Sequence, residues 1–260
     1  MSADLKSKCV LVTGASSGIG RACAEAFAAH GCRLLIAARR LDRLEELAQS
    51  MRQHHGVEVL STALDVRNRD AVEGWIGDLP GEWGEIDILV NNAGLARGLA
   101  PLHDGEVEDW EEMIDTNLKG LLYVTRVVAK QMVDRGQGHV INIGSIAGHE
   151  VYPGGNVYCA SKHAVTAVSR ALGIDLLGTG VRVSSVDPGM VETEFSLVRF
   201  HGDSARADGV YQGLEPLSAE DVADAVVFCA TRPPHANVRE MILMPTAQAA
   251  AVFAHRTEQG

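Results

Sequence analysis

One stretch near the N-terminus constrains the fold more than any other. Val10-Leu11-Val12-Thr13 is an aliphatic, β-prone run that leads without a break into Gly14-Ala15-Ser16-Ser17-Gly18-Ile19-Gly20, and from there into a helix-like segment. A strand passing through a glycine-rich turn into a helix is the setting in which such a glycine pattern acquires meaning. Gly14 permits the tight turn, Gly18 lets backbone approach a pyrophosphate, and Gly20 lets helix and strand pack closely. The helix N-terminus beside Ser16, Ser17 and Ile19 then offers unpaired N–H groups and a positive dipole end to a phosphate. The alternative is a tight βα turn without a ligand.

The rest of the chain repeats the alternation. Short β-branched runs fall at 9–13, 33–37, 57–63, 86–91, 138–143, 181–186 and 241–244, with helix-like segments at 19–30, 41–54, 68–78, 107–135, 156–179 and 219–230. Continuously apolar strands alternating with helices predict an α/β fold whose parallel sheet is covered on both faces. Right-handed crossovers make a doubly wound parallel sheet the default topology. With 260 residues and no Pro/Ser-rich linker, repeat or low-complexity tract, a single domain over 1–260 is the economical reading. The end of the chain differs: Arg232-Pro233-Pro234-His235 forces a loop, and 249–253 is apolar again, covering either its own subunit's core or a neighbour's.

Charge narrows the partners. With 23 basic against 34 acidic residues, net −11, the surface lacks a nucleic-acid or anionic-membrane footprint, so any phosphate site must be built locally. No apolar run reaches a membrane span, and the N-terminal Met-Ser-Ala-Asp-Leu-Lys-Ser-Lys carries no signal-peptide pattern. Cys9, Cys23, Cys32, Cys159 and Cys229 are scattered and odd in number, which reads as buried thiols of a reducing compartment. The ten histidines show no helical ligand spacing, and no metal site is expected.

The end of the second strand addresses which dinucleotide would bind. Chains selecting NAD place an acid there for the ribose 2′-hydroxyl. Here Leu35-Ile36-Ala37-Ala38 ends in Arg39-Arg40, a pair suited to a 2′-phosphate and to stacking on adenine. NADP is therefore expected over NAD. Asp42, the nearest acid, is read as a cap of the helix beginning at Arg43. Asp65, before Val66 at the end of the third strand, either bonds an adenine amino group or caps the helix from Asn68. Asn91-Asn92-Ala93-Gly94 ends the fourth strand and either meets the cofactor ribose in a crevice or makes a turn.

Farther on stands Tyr158-Cys159-Ala160-Ser161-Lys162. On a helix, Tyr158 and Lys162 share one face, and an ammonium beside a phenol lowers its pKa. A phenol tuned toward neutrality exchanges protons with an alcohol–carbonyl pair. Ser145, thirteen residues earlier after an apolar run, can hydrogen-bond the same oxygen.

Taken in order, Thr13-Gly14-x-x-x-Gly18-x-Gly20, Asn91-Asn92-Ala93-Gly94, Asn117, Ser145, Tyr158-x-x-x-Lys162 and Pro188-Gly189 resemble the short-chain dehydrogenase/reductase family over nearly the whole chain. The resemblance implies a Rossmann fold and hydride transfer between a nicotinamide and a secondary alcohol or carbonyl. It implies Tyr158 as acid/base, Lys162 on the nicotinamide ribose, Ser145 polarising the substrate oxygen, and Asn117 anchoring a proton-relay water. Pro188, Gly189, Val191 and Thr193 would cover the nicotinamide.

A narrower likeness runs through Leu64-Asp65-Val66-Arg67-Asn68-Arg69, the segment from Asp109 to Asn117, Gly154-Gly155-Asn156-Val157-Tyr158 and the segment from Glu194 to Phe200. These resemble the NADP-dependent 3-hydroxy acid dehydrogenases, which act on serine, allo-threonine and related acids and reduce malonic semialdehyde. That group is cytoplasmic and typically homotetrameric. The stretch from Pro188 to Thr193 is one residue shorter than the group's pattern, and an acid at Glu192 near the substrate lid would disfavour a carboxylate. Arg199 is the candidate for the substrate carboxylate, against a surface or interface role, and Met190 for the pocket floor. Residues 146–156, with His149, Glu150 and Tyr152, would line the pocket. The rivals are a reductase of another carbonyl (sulfo-aldehyde, sugar or 3-oxoacyl) and a non-catalytic dinucleotide-binding regulator.

Overall fold

In the computed structural model, which describes residues 4–257, seven strands form one parallel sheet in the order β3-β2-β1-β4-β5-β6-β7. The strands are β1 (Cys9–Thr13), β2 (Arg33–Ala38), β3 (Val59–Ala63), β4 (Ile88–Asn91), β5 (Gly138–Ile143), β6 (Val181–Pro188) and β7 (Glu240–Leu243). The first three residues of the N-terminal stretch considered above lie outside the described residues.

The sheet is doubly wound because its strands are apolar on both sides. Val10 and Val12 join one core with α1 (Gly18–Ala29), α2 (Leu41–His55) and α9 (Ala219–Ala230), while Cys9 and Leu11 join another with α3 (Arg69–Gly77) and α5 (Leu121–Arg135). Phe27, fully buried, anchors the first core. At about 25 cal/mol per Å² of apolar surface removed from water, these two faces supply the main driving force for the fold.

The expected helix over 107–135 is three pieces. α4 (Val107–Ile114) runs into a π-helical turn (Asp115–Gly120) before α5 begins. Such turns are rare and recur at functional sites. Here the turn carries Asn117, and its Gly120 lies against Val66, where a Cβ would collide. The long helix α6 (Asn156–Asp175) ends earlier than expected, ahead of Gly178 and Gly180 at φ +83° and +81°. Two short helices, α7 (Phe195–Arg199) and α8 (Ser204–Gly209), were not anticipated.

The apolar tail folds back on its own chain. Gln248 Oε1 accepts the Met190 N–H at 2.8 Å and Glu150 Oε2 accepts that of Ala251 at 2.7 Å. Phe253 remains 69% exposed, so the tail both covers its own subunit and leaves an apolar face.

Candidate active site

Strand order reverses between β1 and β4, and their carboxyl ends are laced together. Thr13 Oγ1 accepts the N–H groups of Asn92 and Ala93, both at 3.1 Å, and Asn92 Nδ2 donates to the Thr13 carbonyl at 2.9 Å. Gly14 has φ +67°, and a Cβ there would lie 2.9 Å from Ala93 Cα. Glycine alone satisfies both demands. A Cβ on Gly20 would collide with the Gly14 carbonyl and the Asn92 amide, so Gly20 sets how closely α1 meets the sheet. Ser17 precedes α1 without capping it, which leaves the helix N–H groups without a side-chain partner at the crevice.

Of the residues expected from sequence to form the site, all but Gly20, Asn91, Asn117, Met190, Arg199 and the segment 146–156 line one continuous cavity; within that segment His149 turns to Asp187, Glu150 to the Ala251 N–H and Tyr152 to Arg199 instead. Arg40 crosses its cofactor end. Its Nε and Nη2 donate to Ser16 Oγ at 3.3 and 3.1 Å, Nη2 also reaches Ser17 Oγ at 2.8 Å, and Nη1 donates to Glu194 Oε2 at 3.0 Å. Arg39 turns the other way, toward Glu112 at 3.4 Å. Asp42 does not cap α2: the helix starts at Leu41, so Asp42 lies in its first turn, where it complements the dipole instead. Asp65 does not cap α3 either. Asn68 does so, accepting from Ala71, while Asp65 takes a paired bond from Arg67 that holds its carboxyl below the usual range.

Tyr158 and Lys162 share a face of α6, both more than nine-tenths buried. Their relation differs from the expectation. Lys162 Nζ donates to the Ile143 carbonyl at 2.9 Å, and burial lowers its pKa to about 8, partly opposed by Asp187. Burial, reinforced by Tyr152, pushes the Tyr158 phenol well above its ordinary value, while Arg199 and Ser145 pull it down. Among the groups that lower the phenol's pKa, the leading cation is Arg199. The Arg199 guanidinium lies 5.1 Å from the centre of the Tyr158 ring, 5.3 Å from Phe195 and 5.6 Å from Tyr152, and donates to the Tyr152 hydroxyl. Its Nε is buried without a partner.

Asn117 stands behind this wall. Its amide oxygen accepts the Leu95 N–H at 2.8 Å, and its amide nitrogen donates to the Leu95 carbonyl and to Ser161 Oγ, at 2.8 and 3.0 Å. Met190 is held by Gln248 outside the cavity wall. Glu192 is exposed and borders a separate groove between α1 and α9, so its charge does not enter the main cavity.

Sequence reasoning missed three contacts. Glu194 bridges Arg40 and Arg43, the latter at 2.7 Å, across 151 to 154 positions of sequence. Arg97 lines the cavity while bonding Glu112 and the Val198 carbonyl, both at 2.7 Å. His149 Nε2 bonds the wholly buried Asp187 at 2.9 Å, with Glu240 close by on Arg170. No local spacing signals any of these pairs.

A crevice at the sheet's reversal point with serine, tyrosine and lysine at its far end defines a nucleotide-dependent oxidoreductase of the Rossmann class. The chain belongs to the short chain dehydrogenase family, whose model matches residues 8–202. It is 49% identical over 249 residues to the NADP-dependent 3-hydroxy acid dehydrogenase YdfG of Escherichia coli K12, covering 95% of this chain and 99% of that one. It is 48% identical to sulfoacetaldehyde reductase 2 of Chromohalobacter salexigens, over 94% of this chain and 97% of that protein. Its structure superposes on a closed form of serine dehydrogenase complexed with NADP+ with a TM-score of 0.89 at 47% identity, covering 96% of this chain and all of the other.

Proposed function

We propose that this protein is an NADP-dependent dehydrogenase that moves a hydride between the nicotinamide and a small 3-hydroxy acid such as serine or allo-threonine, or reduces the matching semialdehyde. The single observation that carries the substrate class is Arg199. Arg199 does not itself line the cavity, but its guanidinium lies 5.1 Å from the ring of Tyr158, which does, and so supplies positive potential for an anionic group a short distance from the reacting carbon. Exposed Glu192, turned into another groove, does not oppose it.

The residues present fit a 2′-phosphorylated dinucleotide. Gly14 and Gly18 leave room for its backbone approach, α1 presents uncapped N–H groups, and Ser16, Ser17 and Arg40 converge where a 2′-phosphate would sit. Asp65, Val66, Asn92, Ala93 and Gly94 would border adenine and ribose, and Pro188, Gly189, Val191 and Thr193 the nicotinamide. Bound NADP supplies the hydride acceptor in oxidation and the donor in reduction. In oxidation, Tyr158 would take the hydroxyl proton while Ser145 holds the same oxygen, the oxygen's electron pair would close the carbonyl, and the carbinol hydrogen would depart with its bonding pair to the hydride acceptor. Lys162, at the cavity wall, would hold the ribose. Because the Asn117 side chain is fully engaged, a relay water would hang from its main-chain carbonyl beside the π turn.

The same guanidinium would bind a sulfonate as readily as a carboxylate, which favours reduction of a sulfo-aldehyde as the second reading. We further infer a cytoplasmic homotetramer. All five thiols are free and buried, and large apolar side chains lie open: Ile174 and Leu177 at the end of α6, 74% and 85% exposed, Ile242 on β7 and Phe253 in the tail. No helix among the described residues is long and apolar enough to cross a membrane. A panel of 3-hydroxy acids, semialdehydes and sulfo-aldehydes, run with both cofactors and followed at the NADPH absorbance, tests the reading. Preference for NAD, or turnover confined to substrates without an anionic group, overturns it.

A further inference from the structure

The seat that a 2′-phosphate would take is engaged by an anion that belongs to the protein. Glu194 accepts from Arg40 Nη1 at 3.0 Å with one oxygen and from Arg43 Nη1 at 2.7 Å with the other. The remaining donors of Arg40 are fixed on Ser16 and Ser17, so the guanidinium is already oriented and only its outward edge is given to Glu194. A carboxylate and a phosphate can each offer the two guanidinium groups the same thing, one charged oxygen apiece. Arg40, Ser16, Ser17 and Glu194 line the same cavity. The side chains of Arg40, Arg43 and Glu194 are 41%, 41% and 40% exposed, so an incoming anion can exchange with the carboxylate without opening the core.

Glu194 also immediately precedes α7. The next residue, Phe195, meets the Tyr158 ring edge-on at a centroid distance of 5.5 Å, and Arg199 closes the same helix over the phenol. The grip of Glu194 on the two arginines is therefore an attachment of the covering segment to the cofactor end of the crevice.

We infer that Glu194 is an internal occupant of the 2′-phosphate seat, displaced by NADP(H) but not by NAD(H), so that it tunes cofactor discrimination and ties release of the α7 attachment to arrival of the phosphate. The inference rests on the NADP reading above. A neutral 2′-hydroxyl has no means of drawing two guanidinium groups from a carboxylate, so NAD leaves Glu194 where it is. A phosphate of nearly two charges does draw them, and its binding is offset by the two ion pairs it breaks and by repulsion from the carboxylate. Glu194 therefore weakens NADP binding and leaves NAD binding nearly unchanged.

Calorimetric titration of the full-length protein with 2′,5′-ADP and with 5′-AMP isolates the phosphate seat from the nicotinamide. Glu194→Gln is expected to tighten 2′,5′-ADP about fivefold, as two half-exposed ion pairs warrant, and to leave 5′-AMP within about twofold. Glu194→Asp, which keeps the charge, is expected to tighten it less than Glu194→Gln. Unchanged or weaker 2′,5′-ADP binding by Glu194→Gln overturns the inference, because Glu194 would then be orienting Arg40 instead of competing for it. Equal tightening of both ligands, or equal tightening by both variants, overturns it too. A wild-type protein that binds 5′-AMP as tightly as 2′,5′-ADP refutes the NADP reading itself, a separate result visible before any variant is made.

Discussion

Replacing Lys162 by methionine should remove activity and, near neutral pH, raise stability. The ammonium is buried on α6, and its pKa stands at about 8 against an ordinary 10.5. Carrying that charge at pH 7 in the folded chain therefore costs roughly 3 kcal/mol relative to the unfolded chain. Methionine has a similar unbranched stem and no charge to bury. It loses the bond to the Ile143 carbonyl, which leaves a buried acceptor unsatisfied at a cost of about 1–2 kcal/mol. The net expectation at pH 7 is a gain of about 1–2 kcal/mol. The sign follows from proton counts. Between pH 8 and 10.5 the unfolded chain holds the lysine proton and the folded chain has released it, so wild-type stability rises with pH relative to the variant. The advantage of methionine should thus shrink by about 2 kcal/mol between pH 7 and 9.5 and end near zero. Urea denaturation of both proteins without cofactor, at several pH values across that span, measures this difference. A variant less stable than wild type at pH 7, or a gap that does not change with pH, would refute the reasoning.

Two further outcomes follow from the same site. Burial holds the Tyr158 phenol protonated, so the base needed for oxidation is scarce near neutrality while the acid needed for reduction is abundant. kcat/KM for oxidation should therefore climb with pH toward and beyond the ordinary tyrosine pKa of about 10, with reduction flat over the same range. Tyr158→Phe should abolish both; an oxidation profile that levels off below pH 8 would contradict the raised phenol. Arg199→Ala should raise KM for a 3-hydroxy acid by roughly ten- to a hundredfold, as loss of a charge-assisted bond implies, and leave KM for a neutral secondary alcohol nearly unchanged, any loss of kcat being shared by both substrates through the phenol. An unchanged KM for the acid would assign Arg199 to packing alone.

What the sequence made legible was local. The turn from Thr13 to Gly20 announces itself because a positive φ and a close helix–strand approach can be met there by few residue types, and the structure uses Gly14 and Gly20 for those reasons. Arg39 and Arg40 were legible as cations at a strand end, and Tyr158 and Lys162 as one helix face. The partners were not legible. Helical spacing sets which side chains share a face, but not which acceptor a long side chain reaches, and Lys162 reaches the Ile143 carbonyl. Glu194 and Arg40 meet only because the α7 segment folds across the cavity, a closure no periodicity encodes. The π turn at Asn117 was hidden because its residues carry the same apolar rhythm as the helices on either side.

The short helix α7 brings these unread contacts together. Five residues are too few to sustain a helix by their own hydrogen bonds, so its position must be set from outside. Glu194 ties its start to Arg40 and Arg43, while its end is held by Arg97 on the Val198 carbonyl and by the Gly98 N–H on the Arg199 carbonyl at 2.9 Å. Between those anchors it lays Phe195 and Arg199 on Tyr158. The start of α7 thus borders the cation pair at the cofactor end of the crevice, while its first and last residues, Phe195 and Arg199, both rest on the phenol. On the proposed reading, cofactor choice and substrate choice would then be coupled through one short segment. Because α7 is too short to hold itself, a change at either anchor is expected to be felt at Arg199 and, through it, at the phenol.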